Sequence, residues 1–159
     1  MKKIVIFDSY FGNTKLIAET IAQELECETI KVQVFNEDVI NSYDLLVIGS
    51  PTRAFSPTKE IKTLIKKIDR DGPRVAFFDT RVEMNDSVPK FLKFMAKRFG
   101  YANDTLEKIA RRKKLKSISY SEEFFVKDTE GPLLEKEVER AREFATIIKK
   151  NSDQIIVEE

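Results

Sequence analysis

The chain contains no histidine, and that absence removes several chemistries together: Ser-His-Asp and Cys-His catalysis and every histidine-ligated metal centre. A single cysteine, Cys27, rules out an internal disulfide and is too few for a thiolate zinc cluster. One reduced thiol suits a cytoplasmic chain. With no cationic neighbour in the sequence, Cys27 reads as a packed residue near the end of a helix and not as a nucleophile. Apolar runs of about eighteen residues are missing, so nothing is expected to span a membrane. Met1-Lys2-Lys3 leads straight into a strand-like segment with no secretory leader pattern. Net charge is nearly absent as well: 28 basic residues face 27 acidic ones, so no global field recruits nucleic acid. The expectation is a cytoplasmic protein without a nucleic-acid or membrane partner. Two common phosphate-binding patterns are also lacking, GxxxxGK[ST] and GxGxxG.

What is present is one domain's worth of alternating strands and helices. The 159 residues suffice for a single core, taken as residues 1–150, with 151–159 as a fraying tail. Ile4 to Phe7 reads as a buried strand, and Ile17, Ala18, Ile21, Ala22 and Leu25 lie on one face of a helix from Thr14 to Leu25. Thr29 to Phe35 alternates as an edge strand would, whereas Leu45 to Gly49 is continuously apolar, as in a central strand buried on both sides. A helix over 58–68 follows, then a strand at Arg74–Phe78 and helices over 88–98 and 105–113. The basic run Arg111 to Lys114 reads as a solvated helix C-terminus, where cations complement the dipole, in preference to a contact with a phosphate backbone. A fifth strand is expected within Leu115–Tyr120 and Phe124–Val126, and a last helix over 133–149. Five such alternations require right-handed crossovers and a parallel sheet covered by helices on both faces.

Parallel strands bring the loops after the first, third and fourth strands to one edge: Ser9–Thr14, Ser50–Phe55 and Asp79–Met84. The first is the most informative. A tight turn from strand into helix leaves backbone N–H groups aimed at one point, with the helix dipole behind them, which suits a phosphate. Ser9 and Thr14 add hydroxyls, Asn13 an amide, and Gly12 the freedom for a close backbone approach. Thr14 or Asn13 would also cap the helix with no ligand present.

Val5-Ile6-Phe7, Ser9, Gly12 and Thr14, followed by Ala18 and Ile21, resemble the flavodoxin signature. The resemblance implies an α/β, flavodoxin-like, doubly wound five-stranded parallel sheet of order 2-1-3-4-5 in three α/β/α layers, binding FMN at its carboxyl edge. In that family the loop matching Ser9, Tyr10, Phe11, Gly12, Asn13 and Thr14 encloses the FMN phosphate. Gly49 to Phe55 resembles the loop beside the isoalloxazine ring. It implies that Ser50 and Pro51 lead into it, that backbone groups of Thr52, Arg53 and Ala54 meet the polar ring edge, and that Phe55 stacks on the ring or packs on the following helix. Arg53 would neutralise the phosphate or the reduced flavin. Asp79 and Thr80, with Arg81 beside them, would meet the pyrimidine edge, Asp79 alternatively capping a turn. Phe124 to Leu133 resembles the end of small flavodoxin-like proteins.

Two departures stand out. Phe11 occupies a place where the family often has threonine, and the third loop lacks the aromatic that many flavodoxins stack on the ring. The implied function is FMN-dependent electron transfer to a redox partner protein. The missing aromatic and neutral charge favour instead an FMN-dependent NAD(P)H oxidoreductase using a nicotinamide nucleotide. Phe11 favours a cofactor-less flavodoxin-fold interaction protein. A phosphorelay receiver would need more carboxylates beside the first strand than Asp8.

Overall fold

The alternating apolar strands build a sheet with two different greasy faces. In the computed structural model, which describes residues 1–158, β1 (Lys3–Phe7), β2 (Glu28–Lys31), β3 (Leu45–Pro51), β4 (Arg74–Val82) and β5 (Glu122–Val126) form one sheet in the order β2-β1-β3-β4-β5. Every pairing is parallel. Because successive side chains point to opposite faces, Val5, Phe7, Leu45, Val47, Ala76 and Phe78 join the core beneath α1 (Asn13–Leu25) and α5 (Glu137–Glu158). Ile4, Ile6, Leu46, Ile48, Val75 and Phe77 join the core beneath α2 (Lys59–Lys66) and α4 (Ala102–Lys113). The expected doubly wound three-layer fold is the one observed.

Local departures have physical causes. The expected strand over 29–35 stops at Lys31, and Val32–Val34 winds into one 3-10 turn. Val32 is thereby buried while Val34 faces solvent, so the alternation read as a strand belongs to a short edge that curls away. Of the segment Leu115–Tyr120, only Ser117 bridges Val75, and the fifth strand begins at Glu122. The fourth strand runs four residues further than expected, to Val82, because polar residues 79–81 still pair with β3 and β5. Residues 151–158, expected as a fraying tail, are helical. They continue α5, and Asn151 Nδ2 donates to the Ile118 carbonyl at 2.8 Å, which ties this end to the sheet. The basic run does close α4, with Arg111, Arg112 and Lys113 in its last turn.

Between β4 and α4 the chain inserts α3 (Lys90–Phe99), of which only Ala96 is buried. It is attached at its end, where the Phe99 and Phe55 rings lie 6.3 Å apart.

Candidate functional site

The turn between β1 and α1 is built around Gly12. Its φ of +91° is a left-handed conformation that glycine adopts without steric cost, and its N–H donates to Ser9 Oγ at 3.1 Å. Neither side chain expected to cap the helix does so. Thr14 Oγ1 is 2.7 Å from Thr80 Oγ1, Asn13 Nδ2 donates to the Glu130 carbonyl at 3.1 Å, and no side chain caps α1. The first-turn N–H groups of α1, starting at Asn13, therefore face outward with the positive end of the dipole behind them.

They open onto a cleft of about 480 Å³ lined by Ser9, Tyr10, Phe11, Asn13 and Thr14 from the first loop. Pro51, Thr52, Arg53 and Ala54 line it from the second, and Thr80, Arg81 and Val82 from the end of β4. That volume lies within the usual range for small-molecule sites. Three chain segments far apart in sequence thus meet at the carboxyl edge, as the parallel topology requires. Val126 and Thr129 complete the wall. They were not singled out in the sequence, although the segment after β5 reaches the same edge by the same rule.

The charges of the lining are all of one sign. Arg53 and Arg81 border the cleft, and among the described residues no Asp or Glu does. The Arg53 guanidinium lies over the Tyr10 ring, 4.5 Å from its centroid, and within 5.6 Å of the Phe11 centroid. This cation–π contact clasps the first and second loops together. Arg53 enters a tight turn closed by reciprocal backbone bonds with Ser56, and both central residues, Ala54 and Phe55, have positive φ.

Four of the residues expected around the ligand are placed elsewhere. Phe55 turns away from the cleft, lining a neighbouring hollow with Met84, Val88 and Leu92, because the strained turn directs it towards Phe99. The packing alternative applies, although its partner helix is α3 and not α2. Ser50 is fully buried and its Oγ accepts the Thr58 N–H at 3.0 Å, supporting the start of α2. Gly12 shapes the loop from the side facing Lys15 and Thr29.

Asp79 is wholly buried. Arg81 donates to it through Nε at 2.9 Å and Nη2 at 2.7 Å, and the Asn103 N–H donates at 3.0 Å. It is the anchor for Arg81, whose guanidinium also stacks 3.8 Å from the Tyr101 centroid. The third loop's lost aromatic is thus matched by one from the start of α4, applied to an arginine. Sequence spacing gave no signal for Tyr101 or Asn103, since both come from an element twenty residues downstream.

Burial pushes the Asp79 carboxyl above its ordinary value of 3.8, while the Arg81 guanidinium and the Asn103 amide pull it down. The folded chain then holds a proton that the unfolded chain has already released. This group's share of stability is therefore present below 3.8 and is lost as pH rises through the raised folded value. Asp79→Asn is expected to flatten that decline, read as urea midpoints on either side of the window. A variant whose midpoints fall with pH as steeply as the wild type's would contradict it. Burial likewise raises the Cys27 thiol against the pull of Lys3, which keeps it protonated and unreactive.

A five-stranded all-parallel sheet of order β2-β1-β3-β4-β5 with helices on both faces is the flavodoxin-like class of α/β fold. A family model described as a flavodoxin domain matches residues 4–122, and the chain belongs to that family. Its fold is similar to oxidised flavodoxin 1 from Bacillus cereus, with a TM-score of 0.71 and 18% identity over 94% of this chain and 98% of that one. Flavodoxin 2 from the same organism gives 0.69 and 19% over 94% and 99%. Rubredoxin oxygen:oxidoreductase from Desulfovibrio gigas gives 0.68 and 15%, covering 98% of this chain but 37% of that one. Over 81 residues the chain is 31% identical to an uncharacterized protein of Methanocaldococcus jannaschii, an alignment spanning 50% of this chain and 54% of that protein.

Proposed function

We propose that the cleft binds FMN and that the protein transfers electrons through it. The observation that carries this reading is the uncapped N-terminus of α1 opening onto a cleft that holds two arginines and no carboxylate. Exposed amides at a helix start, the Ser9 and Thr14 hydroxyls and a neighbouring cation are the donor set a dianionic phosphate requires. The Thr52 hydroxyl and the Ala54 backbone border the cleft further along, where the polar edge of a flat ring would lie, while the Thr80 hydroxyl holds that of Thr14. Phe11 leaves one hydroxyl fewer for the phosphate, and Arg53, brought over the same loop, offsets that loss of a donor with charge.

The flavin, when bound, supplies the one- and two-electron chemistry. The chain's residues hold it, exclude water from its inner edge and set the charge around it. Arg81 stays oriented because Asp79 and Tyr101 grip it from two sides. Such a lining favours the reduced, anionic ring.

The absence of carboxylates in the lining also favours the reductase reading, because an anionic nicotinamide nucleotide meets no like charge there. One experiment addresses both. Titrating FMN with the purified protein is expected to quench flavin fluorescence with one FMN per chain. Unquenched fluorescence at high micromolar protein would refute the proposal in both forms. With FMN bound, steady oxidation of NADH or NADPH identifies a reductase, and its absence a carrier that takes electrons from a protein.

A further inference from the structure

Of the twelve phenylalanines, the four exposed ones are Phe11, Phe91, Phe94 and Phe99; Phe11 lines the cleft and Phe99 meets Phe55 beside it. Three belong to α3. Phe91 and Phe94 are 67% and 62% exposed, adjacent at i and i+3 on one helix face. Leu92 and Phe99 are also exposed, whereas Ala96 faces the protein. Lys90, Lys93, Lys97 and Arg98 occupy the same ten residues, and no acidic residue lies between Asp86 and Asp104. Among the described residues none of these four cations forms an ion pair. In a chain of net charge +1, this concentrates unpaired positive charge around protruding rings. The helix also lies beside the cleft, since the hollow next to it shares Val82 and Thr129 with the cleft wall.

We propose that α3 docks the protein on an anionic lipid surface. A basic helix with exposed phenylalanine and leucine lies in the headgroup region, its rings at the acyl boundary and its cations among the lipid phosphates. Three of the four cations are lysines, a residue depleted at protein–protein interfaces but well suited to reach headgroups past the rings. This is peripheral attachment. Among the described residues no helix is long and apolar enough to cross a membrane, and the expectation of no membrane partner rested only on the lack of such a span. Docked through α3, the molecule would bring the neighbouring cleft close to the lipid surface. The attachment needs no cofactor, so it stands or falls separately from the FMN reading.

The test is co-sedimentation of the full chain with vesicles of equal parts phosphatidylglycerol and phosphatidylcholine, and with phosphatidylcholine alone. Binding to the mixed vesicles only, weakened by added salt, is expected. The exposed pair F91S/F94S should bind about thirtyfold more weakly, from the apolar area withheld, and K90E/K97E should lose the anionic preference. Both variants change solvent-facing residues, and unchanged urea midpoints show that they remain folded. Wild-type protein that stays in the supernatant, or F91S/F94S bound as tightly as wild type, overturns the proposal. Equal binding to both vesicle types also overturns it. A purified protein captured through α3 with no vesicle affinity would assign the helix to a protein partner instead.

Discussion

Gly12→Val is expected to weaken FMN binding roughly a hundredfold, while Cys27→Ala leaves it unchanged. The space at Gly12 is not the obstacle, because a Cβ there meets nothing within 4 Å. The obstacle is the backbone. At φ +91° a β-branched residue is strained, and the turn relaxes by rotating the peptides on either side of it. Those peptides carry the amides that begin α1, and charge-assisted hydrogen bonds to a phosphate contribute about 1.5–3 kcal/mol each. Losing one or two accounts for a loss near two decades, at about 1.4 kcal/mol per decade. Cys27 lies past the far end of α1, beyond its left-handed C-cap at Glu26, and touches none of this. Fluorescence titration of both variants is the measurement. Equal affinities would mean that the phosphate is held elsewhere, and a urea midpoint for Gly12→Val near the wild-type value separates lost binding from lost fold.

The residues differ in how far their roles were legible before folding. Periodicity located every strand of the sheet interior, because Ile4–Phe7, Leu45–Gly49 and Val75–Phe78 are buried on both faces and leave no alternative reading. It failed where burial is one-sided. Val32 and Val34 keep strand spacing through a 3-10 turn, and residues 151–158 look polar enough to fray but are held by Asn151 and the buried Ser152.

At the cleft, topology alone brought the three loops together, but the direction of individual side chains was not in the local pattern. Phe55 is aimed by two positive-φ residues that are not glycine. Asp79 is taken out of the lining by its own neighbour Arg81, a pairing visible only once β4 is known to continue past Phe78. Tyr101 reaches Arg81 through α4, a contact set by helix packing and not by spacing. The exposed face of α3 was legible as composition, yet its apolar residues look like core until the helix is seen to lie outside it.

Gly49→Ala and Phe78→Ala are each expected to destabilise the fold by several kcal/mol, and together by less than their sum. Gly49 and Phe78 are register partners on β3 and β4, and the Phe78 ring lies across the glycine. A Cβ on Gly49 would fall 2.0 Å from Phe78 Cζ and within 2.5 Å of both Cε atoms. That overlap cannot be relieved locally. The ring is fully buried and packs edge-on to Phe124 at 6.1 Å, which in turn meets Phe144 at 6.3 Å. Overpacking of this kind costs about 1–3 kcal/mol, and the upper end applies where backbone and a buried ring are both fixed. Phe78→Ala removes the ring and leaves a void, at about 3–5 kcal/mol. Either loss is a large part of the roughly 5–15 kcal/mol that holds a domain together. In the double variant the methyl introduced by Gly49→Ala no longer meets a ring and fills part of the space the ring vacated. The coupling should therefore favour the pair, within the range of about 0.5–3 kcal/mol seen for residues in direct contact. Urea midpoints for the four chains, at unchanged slope, measure it. Strict additivity to within about 0.5 kcal/mol would mean that Phe78 does not depend on the missing side chain at Gly49. The central pair of strands would then owe its packing to other contacts.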